Sequence, residues 1–253
     1  PSLAPIPKTK NSYWGFYFST DWAYRICWEQ KYSCTEMLLK DLSQMIQAGE
    51  NERLEFKHKA ADPQKIMKEV VAFANHKGGR LILGIDDDLT IRGVKFPEEE
   101  EYVMEEAIKK YCLPAPEYSI QRIPITQKRT ILIFNIKESE AKPVFLIYNL
   151  KKKVGRAYFR VADKSVQVSK ELRKILKIQH QNTDNSFFQY GEQEQILMQL
   201  FQNQNAITLQ QFVQYAQIPE QQASEVLIRL TVSNVLAIIP NDEADSYILK
   251  EEV

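Results

Sequence analysis

The chain has 253 residues, of which 44% are hydrophobic and 26% charged, and its 33 basic residues balance 33 acidic ones. This composition is typical of a globular protein with one large domain or two ordinary ones, and the sequence contains no apolar run of 18 residues that could cross a membrane. The opening residues lack the build of a signal peptide, and the three cysteines show no metal-ligand spacing, so we expect a cytoplasmic protein.

The first predicted elements form a strand, a helix and a hairpin. Residues 53–58 are predicted as a strand, and Asp62 is a typical cap for a helix whose first residue is Pro63. Apolar residues then recur at helical spacing until the pair Gly78–Gly79, which we expect to end the helix through left-handed backbone angles. An apolar strand is predicted at 80–85, followed by an acidic turn and a second strand near 91–94.

The elements that follow alternate in the same way as far as residue 178. They are a helix at about 99–111, strands near 118–123, 130–136, 144–148 and 157–161, and a helix at about 171–178. Strands and helices mixed in this order predict an α+β domain, that is, a mixed α/β domain.

The sequence changes character after a polar linker rich in Gln and Asn. Three short amphipathic helices and a hairpin follow it, an order that resembles a winged helix-turn-helix domain. The predicted organisation is an aromatic-rich extension at 1–48, the α+β domain at 49–178, the linker at 179–190 and the winged-helix-like domain at 191–253.

Three stretches carry a family resemblance: ENERLEFK, IMKEVVAFANHKGGRLILGIDDDLTIRGV and AYFRVADKSVQVSKELRKIL. Together they resemble the Schlafen-type AlbA domain over roughly Glu50 to Lys177. The resemblance implies nucleic-acid binding, with DNA favoured over RNA. Because bacterial members join this domain to a helix-turn-helix tail, it also implies a bacterial transcriptional regulator. The sequence has no phosphate-binding loop of the G-x-x-x-x-G-K-[ST] type, so its glycines do not indicate an ATPase.

The resemblance to Schlafen relatives that cleave RNA falls on three carboxylates, Glu50, Glu55 and Asp86, with Asp87 as a rival for the third. Converging carboxylates bind divalent cations such as Mg²⁺ or Mn²⁺, and such a metal can activate water at a phosphate. Glu55 also fits a half-buried strand in a pure binder, for which we expect no cofactor. A metal-dependent endoribonuclease is therefore an alternative to the binding protein that we expect.

Basic residues are concentrated in the α+β domain. Residues 142–177 hold eleven Lys or Arg against two acidic residues, which indicates an anion-binding surface or, alternatively, a solubilising one. The predicted nucleic-acid contacts are Lys57, Lys59, Lys77, Arg80, Lys151, Lys152, Lys153, Arg156, Arg160 and Lys164.

The tail from Ser186 onward has two basic and nine acidic residues. Its third helix would present Gln221, Gln222, Glu225 and Arg229 outward, which is little positive charge for a DNA groove. We therefore expect the tail to dock on the basic domain, to form a homodimer or to bind a protein, and a protein-interaction adaptor is a further alternative. Residues 13–32 hold nine aromatic residues, which favour a core or a subunit interface over stacking on bases.

Overall fold

The computed structural model describes residues 39–152, 154–180 and 190–250. The chain divides into two compact units, Pro1–Ser43 and Gln44–Val253. Of the first unit, the described residues are 39–43, and they are helical. The aromatic-rich segment at 13–32 and most of the predicted linker lie outside the described residues.

Among its described residues, the second unit contains twelve strands and six helices that begin beyond residue 50. The strands are β1 Leu54–Lys57, β2 Gly79–Leu83, β3 Cys112–Leu113, β4 Tyr118–Thr126, β5 Arg129–Ile136, β6 Phe145–Asn149, β7 Val154–Arg156, β8 Tyr158–Val161, β9 Lys164–Gln167, β10 Ile207–Thr208, β11 Leu236–Ile239 and β12 Ser246–Leu249. The helices are α1 Pro63–Asn75, α2 Pro97–Tyr111, α3 Lys170–His180, α4 Glu192–Asn203, α5 Leu209–Ala216 and α6 Glu220–Val232.

A four-stranded sheet in the order β1-β2-β5-β4 forms the centre of the α+β region. Strands β1 and β2 are parallel, and α1 supplies the crossover that a parallel pair requires. The other two pairings are antiparallel. Helices α1 and α2 pack against the sheet and bury a core that includes Val70, Phe73, Leu81 and Phe134. The predicted fold class is therefore observed here, with β3-β6-β7 and β8-β9 as additional small sheets.

The two ends of α1 form as the sequence predicts. The Asp62 side chain accepts from the Lys65 amide at 3.3 Å, and Pro63 occupies the first turn. Gly78 has a φ of +72° and its amide donates to the Phe73 carbonyl at 2.9 Å. Glycine is required at position 79 for a different reason: a Cβ there would lie 2.3 Å from the Phe73 ring. The glycine pair thus ends the helix and lets β2 approach it closely.

The predicted strand at 91–94 is not observed. Only isolated bridges form there, between Ile85 and Ile91 and between Val94 and Thr130. Gly93 adopts a φ of +67°, and this left-handed backbone interrupts the extended conformation that a strand needs. Strands β7 and β9, which the sequence reasoning missed, complete hairpins with β6 and β8.

Asn75, the last residue of α1, joins the helix to two distant segments. Its Nδ2 donates to the Val144 carbonyl at 2.9 Å and to the Tyr158 carbonyl at 2.8 Å, while its Oδ1 accepts from the Val144 amide at 2.7 Å. The Asn75 side chain is fully buried, so water cannot replace these bonds. The FAN triplet therefore carries a structural role, since its asparagine fixes the start of β6 and of β8 on α1.

The C-terminal region has the element order expected from its sequence: three helices and a hairpin. Strands β10, β12 and β11 form a small antiparallel sheet, and α4, α5 and α6 bury a core that includes Leu197, Phe212, Leu227 and Tyr247. Thr208 caps α5 by accepting from the Gln211 amide at 3.3 Å. In the described ranges, no helix is both long and apolar enough to cross a membrane.

Helix α6 is buried on two sides because it also packs against α3. The Ser224 hydroxyl donates to Glu171 Oε1 at 2.9 Å, and Ser224 itself is 6% exposed. Ile238 of β11 packs on a small cluster around Leu172 and Leu176 of α3. The C-terminal region therefore docks on the α+β region through its third helix and its hairpin.

Asp245, in the turn between β11 and β12, is a half-buried carboxyl near this contact. Its Oδ1 accepts from the Asn241 amide at 3.2 Å, and within the described residues its Oδ2 is buried without a hydrogen-bond partner. Burial raises the pKa of Asp245, the Ser169 hydroxyl opposes this rise, and the Glu171 carboxylate adds to it. Ionisation of Asp245 is thus less favourable in the folded state than in the unfolded chain.

Replacing Asn75 with Ala should strongly destabilise the fold. Three buried hydrogen bonds disappear and leave backbone groups unsatisfied, so we expect a loss of roughly 2–5 kcal/mol in the free energy of unfolding. Urea denaturation followed by circular dichroism measures this loss. Asn203→Ala, at an exposed position at the end of α4, is the control and should change stability little. A loss below about 0.5 kcal/mol for Asn75→Ala would show that these bonds contribute little to the stability of the fold.

Asp245→Asn should stabilise the protein at neutral pH but not in acid. A carboxyl whose pKa is raised on folding contributes stability that is fully present below its unfolded pKa and is lost as pH rises through its folded pKa. The amide removes this loss while its Oδ1 can still accept from Asn241. Thermal denaturation should therefore give a higher Tm for the variant at pH 7 and nearly equal values near pH 3. A variant that is less stable at pH 7 would contradict the assignment.

Candidate nucleic-acid interface

Two of the three predicted carboxylates lie on either side of Lys57. Glu50 Oε1 accepts from the Phe56 amide at 2.9 Å, and it lies 4.0 Å from Lys57 Nζ. Glu55 Oε1 accepts a short hydrogen bond from the same Nζ. The two glutamates that the sequence reasoning singled out are thus brought together, but a lysine ammonium lies between them.

The other oxygen of Glu55 pairs with Arg160, whose side chain is fully buried. Arg160 Nη2 donates to Glu55 Oε2 at 2.7 Å, and Nη1 donates to Glu69 Oε2 at 2.6 Å. The guanidinium also donates to the carbonyl of Asn51 at 3.1 and 3.2 Å. Phe73 lies against it, with its ring centroid 5.0 Å from Arg160 Cζ.

The prediction that Arg160 contacts phosphate is therefore wrong. Its N–H groups donate to carboxylates, backbone carbonyls and the Ser165 hydroxyl inside the protein, and 1% of the residue is exposed. Glu69 shares this network, since it also accepts from the Ser165 hydroxyl. Burial raises the pKa of Glu69, while the Ser165 hydroxyl and the Arg160 charge oppose that rise.

Asp86 is paired away from the two glutamates. Its Oδ1 contacts His58 Nδ1, and its Oδ2 accepts from Arg92 Nε at 2.8 Å. The Arg92 guanidinium, helped by the His58 ring, holds the pKa of Asp86 below its usual value. The rival residue, Asp87, is exposed.

A divalent cation does not fit these carboxylates as they are placed. The oxygens of Glu55 and Asp86 already accept from basic side chains, and a metal needs such oxygens free to coordinate it. Over the described ranges, no three His, Cys, Asp or Glu side chains are grouped as metal ligands. The ribonuclease alternative stays a prediction from the sequence.

The hairpin of β6 and β7 carries the most prominent group of predicted phosphate contacts. Lys151, Lys152 and Arg156 are exposed, and among the described residues none of them pairs with a carboxylate. The Arg156 guanidinium lies over the Tyr148 ring, with 5.5 Å from Cζ to the centroid. Tyr148 is 50% exposed and Leu150 47%. Lys153 lies outside the described residues.

The remaining predicted contacts are spread over other surfaces. Lys59, Lys77, Arg80 and Lys164 are exposed, whereas Lys57 is half-buried and paired with Glu55. Lys59 is close to a cleft, and Lys164 follows the turn that joins β8 to β9. The predicted contacts thus lie on a basic hairpin and at several separate positions.

An open cleft of about 670 Å³ lies beside β1, the first half of α1, β6 and β8. Its residues are Lys57, Lys59, Ala61, Asp62, Gln64, Lys65, Ile66, Lys68, Glu69, Leu146 and Tyr158. Asp62 pairs with Lys65 at 3.1 Å, and Glu69 pairs with Arg160. Lys59 and Lys68 have no carboxylate partner within the described residues, and Lys68 Nζ lies 5.3 Å from the Tyr158 ring centroid.

Sequence reasoning missed Lys65, Lys68 and Tyr158 as members of this cleft. The helical spacing of the two lysines, three residues apart, was a usable signal, because such residues share one face of a helix. Tyr158 gave no comparable signal, since its approach to α1 depends on the contact between distant segments that Asn75 makes.

Two solved structures resemble parts of the chain. One is the solution NMR structure of the N-terminal domain of an ATP-dependent DNA helicase RecG-related protein from Nitrosomonas europaea, with 23% identity, a TM-score of 0.35 and coverage of 41% of this chain and 78% of that one. The other is the DIP2311 protein from Corynebacterium diphtheriae, with 19% identity, a TM-score of 0.36 and coverage of 54% and 30%.

The central sheet, the basic hairpin and the cleft all lie within residues 50–169. No curated protein matches the chain. Residues 50–169 match the family model described as Schlafen, AlbA_2, and this match confirms the domain resemblance expected from the sequence.

Proposed function

We propose that this protein binds nucleic acid through its Schlafen AlbA_2 region and acts as a DNA-binding transcriptional regulator. The observation that carries the proposal is the basic hairpin of β6 and β7, where Lys151, Lys152 and Arg156 are exposed without carboxylate partners in the described part of the chain. Phosphate contacts require Lys or Arg side chains that are exposed and available to bind an anion. The hairpin offers three such groups within a few residues.

Other surface cations of the same region differ from those of the hairpin because they are already neutralised. Arg122 pairs with Glu101 at 2.6 Å, Lys137 with Glu117 at 2.9 Å and Lys109 with Glu106 at 3.1 Å. A phosphate approaching these residues meets a carboxylate beside each cation. The contrast supports the hairpin, rather than total charge, as the binding surface.

The proposed role of the C-terminal region is to support the binding domain. Its element order supports a winged-helix arrangement, but α6, which would enter a DNA groove in such a domain, packs against α3 instead. The exposed residues of α6 are Glu220, Gln221, Gln222, Glu225 and Arg229, and Arg229 pairs with Glu194. We propose that DNA contacts come from the AlbA_2 region and that the acidic tail keeps a surface available for a protein partner or a second copy.

Replacing Lys151, Lys152 and Arg156 with Ala should weaken binding and reduce its salt dependence. Each lost phosphate contact removes about 0.7–0.9 from the slope of log K against log salt concentration, so three contacts should flatten the slope by about 2 to 3. Fluorescence anisotropy with a labelled DNA duplex at several salt concentrations measures both quantities.

The matched control for this triple variant changes the net charge equally at paired positions. Lys109, Arg122 and Lys137 are replaced together with Ala, which also removes three positive charges. We expect this control to retain nearly the wild-type slope. Equal flattening in the two variants would show that total charge matters and that the hairpin is not the binding surface.

We expect the protein to bind RNA or DNA without cutting it when Mg²⁺ or Mn²⁺ is added. Glu50→Gln is the variant of choice for this test, because Glu50 is exposed and its amide oxygen can still accept from Phe56. Glu55→Gln is unsuitable, since it weakens a buried ion pair with Arg160 and should cost about 1–3 kcal/mol of stability. Gel electrophoresis of labelled RNA measures cleavage. Metal-dependent cleavage that a chelator stops and Glu50→Gln abolishes would establish the ribonuclease alternative.

A further inference from the structure

The cleft beside α1 combines an apolar interior with cations at its edge. Ile66 and Leu146 are buried at its wall, and the Tyr158 ring is half-buried. Lys59 and Lys68 add two positive charges; neither forms a direct ion pair among the described residues, and Glu69 interacts with Lys68 at longer range. Its volume of about 670 Å³ lies in the range of 300–1,000 Å³ that small-molecule sites occupy. This chemistry suits a ligand that has a flat apolar part and an anionic part.

The backbone of Tyr158 is held in position before any ligand arrives, and its side chain packs against the hydrophobic core. Its backbone carbonyl accepts from Asn75 Nδ2 at 2.8 Å, and β8 pairs with β9 in a register that places Tyr158 opposite Gln167. The Lys68 ammonium lies 5.3 Å from the ring centroid. An anion in the cleft would attract the flexible Lys68 ammonium away from the ring. The face of Tyr158 that the ammonium covers would then be available to a planar group.

The cleft is continuous with the basic hairpin. Leu146 lines the cleft, and in the sheet it pairs directly with Arg156 of β7. A polyanion that follows the hairpin therefore arrives at the edge of the cleft. A paired base cannot enter, because its ring faces are covered by neighbouring bases in the duplex, whereas an unpaired base can stack on an aromatic ring.

We propose that the cleft holds one unpaired nucleotide of a single strand, with the phosphate on Lys59 and Lys68 and the base stacked on Tyr158. This inference rests on the proposed function and specifies the strand state that the AlbA_2 region prefers. Stacking on an aromatic residue tolerates every base, because each base has a flat face. The cleft therefore recognises an unpaired nucleotide without selecting its sequence.

The test compares two labelled twelve-residue single strands, oligothymidine and an abasic strand with the same phosphates. Fluorescence anisotropy should show that the wild-type protein binds oligothymidine about tenfold more tightly, which corresponds to about 1.4 kcal/mol, within the range for one stacked base. Tyr158→Leu keeps apolar volume but removes the flat ring, so it should abolish the difference. Tyr158→Phe should retain it.

Two controls separate stacking from folding and from charge. Tyr102→Leu changes a tyrosine of α2 that is 64% exposed and lies outside the cleft, and it should leave both affinities unchanged. The double variant Lys59→Ala and Lys68→Ala should weaken binding of both strands by a similar factor, because both strands carry the same phosphates. This double variant concerns exposed or half-exposed side chains, so it remains informative if Tyr158→Leu does not fold.

The outcomes distinguish failure of this inference from failure of the proposed function. Equal affinity of the wild-type protein for the two strands, or an unchanged preference in Tyr158→Leu, would overturn the inference. In that case the proposed function would still hold if the wild-type protein binds duplex DNA and the hairpin variant binds it more weakly. Thymidine monophosphate that binds as tightly as the twelve-residue strand would overturn the preference for a strand. Absence of binding to every nucleic acid would overturn both.

Discussion

The buried guanidinium of Arg160 constrains most of the α+β region. A charge removed from water costs several kcal/mol unless partners surround it, and here Glu55, Glu69 and the Asn51 carbonyl supply them. These partners come from the first strand, the first helix and the loop before β1, while Arg160 itself comes from β8. The cost of leaving the charge unpaired therefore fixes all of these segments relative to one another. Glu55 is in consequence held as a counter-ion.

This arrangement also decides the charge of the surface. Close to the cleft, Glu55 pairs with both Arg160 and Lys57, and Glu69 pairs with Arg160, so two cations offset the negative charge of these two carboxylates. Lys59 and Lys68 have no such partner in the described part of the chain, and they face solvent. A chain with zero formal net charge can thus present a positive surface to an anion, because the carboxylates near this surface are paired with cations while some of its lysines are not.

Local signals predicted the helices well and the site less well. The Asp62 cap, Pro63 and Gly78 depend on neighbours in sequence, and all of them behave as expected. The burial of Arg160 depends on Glu69, which lies 91 residues away, so its sequence context resembles that of any cation on a surface strand. Asn75 belongs to a recognisable motif, yet its partners at Val144 and Tyr158 become visible only in the folded chain. Long-range contacts of this kind are not encoded in spacing.

Helix α6 has two buried faces, one in its own core and one against α3. Ser224 and Ile228 are 6% exposed, and the Ser224 hydroxyl reaches Glu171 across the contact. Separating the two regions would expose Leu172 and Leu176 to water and would leave the Ser224 side of α6 without its partner. The α+β region and the C-terminal region are therefore coupled in their unfolding, and denaturation of residues 44–253 should proceed as a cooperative transition rather than domain by domain.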